Sequence, residues 1–301
     1  MQRFVSIGEC MIEMSGGENQ IYKQGFAGDT LNTAWYARAA LPDNWQMDYF
    51  TAVGDDIYSD QMLAFLSQNN IGTQSIRRIE NKRPGLYMIH QAEGDRHFTY
   101  WRDRAAAKQL ADDAPALRGA IKGADLIYFS GITLAILSAD ARTRLLSIIG
   151  EARSAGAKTA FDPNIRPILW PEVGELKSSF EAAAKVSTFV LPTHDDEKPI
   201  FGDRSPRETA ERYLNYGAEE VVVKNGGEDA LIVSSAREDI VPAKKDAAVI
   251  DTTGAGDSFN GAYLSARLLG HSTIEAAEVA HRTASIVIGH KGALVDPDLL
   301  D

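Results

Sequence analysis

Two hydrophobic periods alternate along this chain. Short apolar runs of strand type occur at residues 3–7 (Arg-Phe-Val-Ser-Ile), 47–53, 125–130, 158–161, 187–191 and 220–224. Between several of them lie segments whose apolar residues recur every three or four positions: residues 30–41 with Leu31, Ala34, Trp35 and Leu41, then 60–68 and 139–153. Strand–helix alternation of this kind predicts parallel βαβ units. The fold expected is α/β, a doubly wound, mostly parallel sheet with helices on both faces. Asp29 or Thr30 is the expected cap of the first helix. One region breaks the rhythm. Residues 76–90 and 96–102 are two extended runs joined by Ala92-Glu93-Gly94-Asp95, which is hairpin chemistry, and 11–27 also read as extended. These pieces predict a small inserted β-sheet lid (11–27 and 76–102) on a main domain made of 1–10, 28–75 and 103–301.

The most informative stretch is Asp251-Thr252-Thr253-Gly254-Ala255-Gly256-Asp257-Ser258-Phe259-Asn260-Gly261. Two glycines lead into an aspartate, and an apolar helical pattern follows through Phe259, Ala262, Tyr263, Ala266 and Leu269. A helix start attracts anions through its free N–H groups and positive dipole end. A carboxylate there would repel a phosphate. That conflict resolves if Asp257 takes a proton from a hydroxyl while the amides of Ala255, Gly256 and Asp257 hold the charge of a transferring phosphoryl group. Gly-x-Gly-Asp alone reads more readily as a capped helix.

Composition narrows the classes. The chain has 301 residues and a formal net charge of −11, with 44% hydrophobic residues. This is an ordinary globular composition, and the charge disfavours nucleic acid or an anionic membrane as partner. The stretch from Leu126 to Leu137 is too short to span a bilayer. Cys10 is the single cysteine. With no apolar core of signal-peptide length in the first nine residues, the cytoplasm is the expected location. There is no P-loop, no His-Glu-x-x-His, no cysteine cluster and no Gly-x-Ser-x-Gly elbow.

Other constellations sit at strand ends or helix starts. In Gly28-Asp29-Thr30-Leu31-Asn32, Asp29 and Asn32 lie one helical turn apart and suit polyol hydroxyls, or an N-cap and a solvent-facing amide. Phe98, Tyr100 and Arg102 share one face of the second lid strand, and Tyr87 on its neighbour adds a ring. Arg166 lies between turn formers in Asp162-Pro163-Asn164-Ile165-Arg166-Pro167, where a guanidinium would match a carboxylate bidentately. His194-Asp195-Asp196-Glu197 follows a strand, as does Lys224-Asn225-Gly226-Gly227-Glu228. Clustered carboxylates at a strand end can hold Mg²⁺ directly or through water; each segment is also a plain solvated turn.

The Gly28-Asp29 loop together with the Gly254–Asp257 string resembles the ribokinase-like (PfkB-type) carbohydrate kinases, over essentially the whole chain. Gly8-Glu9-Cys10-Met11-Ile12-Glu13, Pro84-Gly85-Leu86-Tyr87, Tyr100-Trp101-Arg102, Ser130-Gly131-Ile132-Thr133 and Asp162–Pro167 resemble the bacterial 2-keto-3-deoxygluconate kinase branch. The resemblance implies ATP- and Mg²⁺-dependent phosphorylation of that sugar acid at its 6-hydroxyl. Asp257 matches the base, with Gly254, Ala255 and Gly256 around the phosphoryl group. Gly28, Asp29, Asn32, Tyr87, Tyr100, Arg102 and Arg166 match sugar-acid contacts. Lys224, Gly226, Gly227 and Glu228 match the nucleotide segment, together with Gly254 and Gly256. Glu197 matches a carboxylate near Mg²⁺. Two positions depart from the family pattern: His194 replaces an asparagine near the metal, and Glu9 stands where many relatives have a sugar-binding aspartate. Neither is assigned a role. A kinase for a neutral sugar such as fructose, or a non-catalytic sensor, stays open as an alternative. The lid edges lead us to expect a homo-oligomer.

Overall fold

The computed structural model describes residues 1–16, 21–92, 95–244 and 248–300. In chain order its elements are β1 (Gln2–Ile7), β2 (Met11–Gly16), β3 (Tyr22–Ala27), α1 (Asp29–Ala40), β4 (Trp45–Phe50), β5 (Ala52–Val53), α2 (Ile57–Gln68), β6 (Ile71–Gly72), β7 (Arg77–Arg78), β8 (Gly85–Ala92) and β9 (Asp95–Trp101). The second half contributes α3 (Ala114–Ile121), β10 (Leu126–Ser130), α4 (Gly131–Ile136), α5 (Ala139–Ser154), β11 (Lys158–Asp162), α6 (Val173–Lys185), β12 (Phe189–Val190), α7 (His194–Phe201), α8 (Pro206–Tyr216), β13 (Glu220–Val223), β14 (Ala230–Ser234), β15 (Glu238–Val241), α9 (Ala255–Leu268) and α10 (Thr273–Ile288).

A nine-stranded sheet runs in the order β15-β14-β13-β12-β11-β10-β1-β4-β6. It is parallel from β6 to β13 and antiparallel only at the β13–β14–β15 edge. Strand alternation sends its side chains into two cores. Val5, Ile7, Ile127, Phe129, Phe161 and Val221 pack under the face carrying Leu117, Leu145, Ile149 and Phe180. Phe4, Leu126, Tyr128, Ala160 and Val222 pack against Leu31, Ala34, Tyr263, Ala276 and Ala280. Helices therefore cover both faces, as parallel sheets require.

A separate four-stranded sheet, β3-β2-β8-β9, stands beside the first. It is the expected insertion, with one difference: β7 pairs with β5 instead, so the extended run at 76–90 splits between two sheets. Ala92 pairs with Asp95 across the β8–β9 hairpin; its turn residues Glu93 and Gly94 lie outside the described residues. The run at 47–53 also divides, at Thr51. The antiparallel β14–β15 edge and α10 were not anticipated. Among the described residues no helix is long and apolar enough to cross a membrane.

Candidate active site

The C-terminal ends of β1, β10, β11 and β13 open into one crevice, where doubly wound sheets place their ligands. Helices α1 and α9 enter it N-terminus first. Gly261 lets them approach closely: a Cβ there would lie 2.6 Å from the Thr33 carbonyl oxygen. Asp257 is one turn before Gly261 on α9, and Asn32 neighbours Thr33 on α1. The contact therefore brings Asn32 Nδ2 to 2.7 Å from Asp257 Oδ2, a hydrogen bond spanning 225 positions of sequence.

Gly254 caps α9 in the left-handed region, with φ 79° and no side-chain cap. Only glycine fits: a Cβ would meet the Ala293 carbonyl oxygen at 2.7 Å. Asp251 braces this loop from outside the helix. Its Oδ1 accepts from the Thr253 N–H and hydroxyl, and its Oδ2 from the Gly292 N–H. The Ala255 N–H donates to the Thr252 carbonyl at 3.2 Å. This corrects the expectation that three amides serve the anion, because Ala255 is already engaged. First-turn geometry leaves the Gly256 and Asp257 amides without intrahelical acceptors.

Beneath this turn lies a buried polar cluster. Lys224, carried on from β13, donates to Asp162 Oδ2 at 3.2 Å and Asn260 Oδ1 at 3.0 Å. Asn260 Nδ2 donates in turn to Asp162 Oδ2 at 2.6 Å. A methyl placed on Gly256 would sit 3.5 Å from Lys224 Nζ. The lysine thus reaches the helix start, while Gly226, Gly227 and Glu228 form an exposed turn farther out. Asp29 opens α1 instead of capping it; Gly28 is the cap. Asn164 Nδ2 donates to Asp29 Oδ2 at 3.0 Å. Burial, with Asp29 and Asp162 adding repulsion, pushes the Asp257 carboxyl up to about 7; Asn32 and Lys224 oppose the shift.

On the lid side, the rings of Tyr87 and Tyr100 are 5.8 Å apart, and the Arg102 guanidinium lies 5.8 Å from the Tyr100 ring centre. The shared face read from strand period holds. The Tyr87 hydroxyl donates to Glu13, and burial raises its pKa. Arg102 is not a free cation: it is ion-paired with Glu9, a residue given no role from the sequence. Arg166 is 49% exposed and only loosely paired, 3.7 Å from Asp196. A groove of about 1110 Å³ separates the lid from the segment around Ala293, with Glu13, Gly25 and Ile89 on its lid wall.

One expected site residue belongs elsewhere. Glu197 is fully buried, with Arg212 2.8 Å from Oε2 and the Tyr213 hydroxyl 3.0 Å from Oε1. The helical start of α7 turns its side chain inward, against α8. Glu197 is part of a structural ion-pair network, and the metal assignment is withdrawn. Among the described residues no group of three or more His, Cys, Asp or Glu side chains could hold a metal ion. His194 is likewise buried, bonded to Thr209 at 3.0 Å. Asp162, Asn260 and Glu9 were missed. Their sequence signal is position: Asp162 is the last residue of a strand, Glu9 lies two residues past one and stands where many relatives have an aspartate, and Asn260 is one helical turn beyond an acid.

A crevice at a strand-end switch point, a glycine-capped helix start with an acid in its first turn, and a small β lid define a sugar kinase of the ribokinase type. The pfkB carbohydrate kinase family model matches residues 1–298, and the chain belongs to that family. It is 42% identical over 302 residues to the 2-dehydro-3-deoxygluconokinase of Escherichia coli K12, covering 98% of this chain and 97% of the relative. Its fold is similar to the 2-dehydro-3-deoxygluconokinase of Thermotoga maritima (TM-score 0.85, 17% identity, 100% and 98% coverage). It is also similar to fructokinase from Xylella fastidiosa solved with ATP (TM-score 0.83, 19% identity, 97% and 93% coverage).

Proposed function

We propose that this protein phosphorylates 2-keto-3-deoxy-D-gluconate at its 6-hydroxyl with ATP, giving 2-keto-3-deoxy-6-phosphogluconate. The observation that carries the reading is Asp257, held by Asn32 at a glycine-capped helix start. An alcohol is far too weak an acid to be ionised by a carboxylate beforehand. Asp257 therefore orients the hydroxyl and takes its proton late, as attack on the γ-phosphorus proceeds. The Gly256 and Asp257 amides, with Lys224 behind Gly256, hold the charge of the moving phosphoryl group. The open space over Gly256 fits a phosphate, because any side chain would fill it. Mg²⁺ would be held mainly by the nucleotide's own phosphates, and the chemistry it would supply is partial neutralisation of their charge.

Acid specificity needs positive charge in a protein of net charge −11. Arg166, half-exposed at the crevice mouth, and Arg102, under the lid, supply it. A charge-assisted hydrogen bond contributes about 1.5–3 kcal/mol, roughly ten- to a hundredfold in affinity. Gly28, Asp29, Tyr87 and Tyr100 line the sugar side. The lid's edge strand β9 ends in Trp101, 55% exposed, which supports association of two copies through the lid. A coupled ADP-release assay across sugar acids and neutral hexoses tests the reading. We expect turnover with 2-keto-3-deoxygluconate to exceed that with fructose by at least a hundredfold; preference for fructose would overturn it.

A further inference from the structure

Glu9 lies two residues past the end of β1 and is only 2% exposed. Arg102, immediately after β9, donates to its Oε2. The other oxygen, Oε1, is buried with no hydrogen-bond partner. The pair connects the main sheet to the lid, since β1 belongs to one and β9 to the other. Room for it comes from Gly85 at the start of β8, where a Cβ would lie 2.7 Å from Oε1 and 3.1 Å from Arg102 Cβ.

As a stabilising device this is a poor arrangement. A buried ion pair rarely outperforms apolar packing of the same volume, and a buried acceptor without a donor adds a further penalty. Burial opposes the charge on Glu9, and Asp29 on α1 repels it; Arg102 and Lys108 oppose that shift, while Cys10 adjoins it in sequence. What the pair does well is fix a guanidinium. Arginine carries five donors in a rigid plane. With one edge taken by Glu9, the remaining donors are held in one direction beside Tyr100.

We propose that Glu9 is a positioning residue: it holds Arg102 beneath the lid so that the guanidinium's unused edge meets the carboxylate of the sugar acid. This rests on the reading of Arg102 as a sugar-acid contact. Glu9 therefore acts on substrate affinity, through Arg102 alone, and not on the phosphoryl-transfer step.

The test is steady-state kinetics on Glu9→Ala, Glu9→Gln, Arg102→Ala and the Glu9→Ala/Arg102→Ala double variant, with thermal unfolding alongside. Glu9→Ala is expected to raise KM for the sugar acid at least tenfold, with KM for ATP and kcat within twofold to threefold of the parent. Glu9→Gln keeps an acceptor for Arg102 and should restore KM to within threefold. In the Arg102→Ala background, Glu9→Ala should add nothing. The proposal is overturned if Glu9→Ala leaves KM for the sugar acid unchanged, if it raises both KM values together, or if its effect persists without Arg102. Should Arg102→Ala itself leave KM for the sugar acid unaltered, the fault lies in the site reading of Arg102. If Glu9→Ala does not fold, Glu9→Gln decides alone: a tenfold or larger rise in KM for the sugar acid contradicts the proposal, because the acceptor is still present.

Discussion

Replacing Asp257 by asparagine should stabilise the protein, and only above a defined pH. The carboxyl sits at about 7 instead of 3.8, first because burial disfavours its charge and then because Asp29 and Asp162 repel it. Its folded-state value is raised, so the folded state binds the proton more tightly than the unfolded chain. Below pH 4 the group is neutral in both states and Asp and Asn behave alike. Between pH 4 and 7 the unfolded chain ionises first, and the parent loses stability; above 7 the loss is constant. A gap of roughly three units corresponds to about 4 kcal/mol at most. Asp257 is only partly buried as a residue, so water screens its charge and about 1–2 kcal/mol should remain. For a chain of this size that is about 2–4 °C in Tm. An asparagine oxygen can still accept from Asn32 Nδ2, so the contact between α1 and α9 is kept. Thermal unfolding of parent and variant from pH 4 to pH 9 gives the difference directly. It should open between pH 4 and 7 and then level off in the variant's favour. A difference independent of pH, or a variant less stable at pH 8, would refute the reasoning.

Four further outcomes follow from the same geometry. kcat/KM should fall on the acid side with a midpoint near pH 7, because the base must be ionised; a profile flat from pH 6 to 9 would contradict the value assigned to Asp257. Gly254→Ala forces a side chain into the left-handed region against the Ala293 carbonyl; we expect about 2 kcal/mol lost in unfolding titrations and kcat reduced at least tenfold. Glu197→Ala leaves Arg212 short of a buried partner and should cost about 3 kcal/mol, with the Mg²⁺ concentration for half-maximal rate unchanged; a shifted metal requirement would restore the sequence-based assignment. Arg166→Ala should raise KM for the sugar acid at least tenfold and KM for ATP less than twofold, and equal effects would remove its role.

Much of this molecule is legible in the chain because parallel strands and their covering helices carry different hydrophobic periods. The lid was visible for the same reason, as a place where the alternation fails. The helix start at Gly254 was visible because glycine before an acid is a local pattern. What stayed hidden depends on distance. Asn32 looks like a polyol ligand from its own helix; that it holds Asp257 follows from close helix packing at Gly261, more than 200 residues away. Asp162, Asn260 and Lys224 form one cluster from three separate elements. Glu197 follows a strand and reads as a cleft residue, but helical period turns it towards Arg212 and Tyr213. Glu9 stands out only as a departure from the family's aspartate; its role stayed hidden because its partner, Arg102, arrives from the lid.

The central claim is that Asp257 takes the proton of the acceptor hydroxyl at a phosphate-binding helix start. The most direct test is kcat of Asp257→Asn on 2-keto-3-deoxygluconate, with ATP affinity measured in parallel. A fall of about 10²–10⁴ in kcat with ATP affinity retained is the expected result; turnover near the parental value would contradict the account.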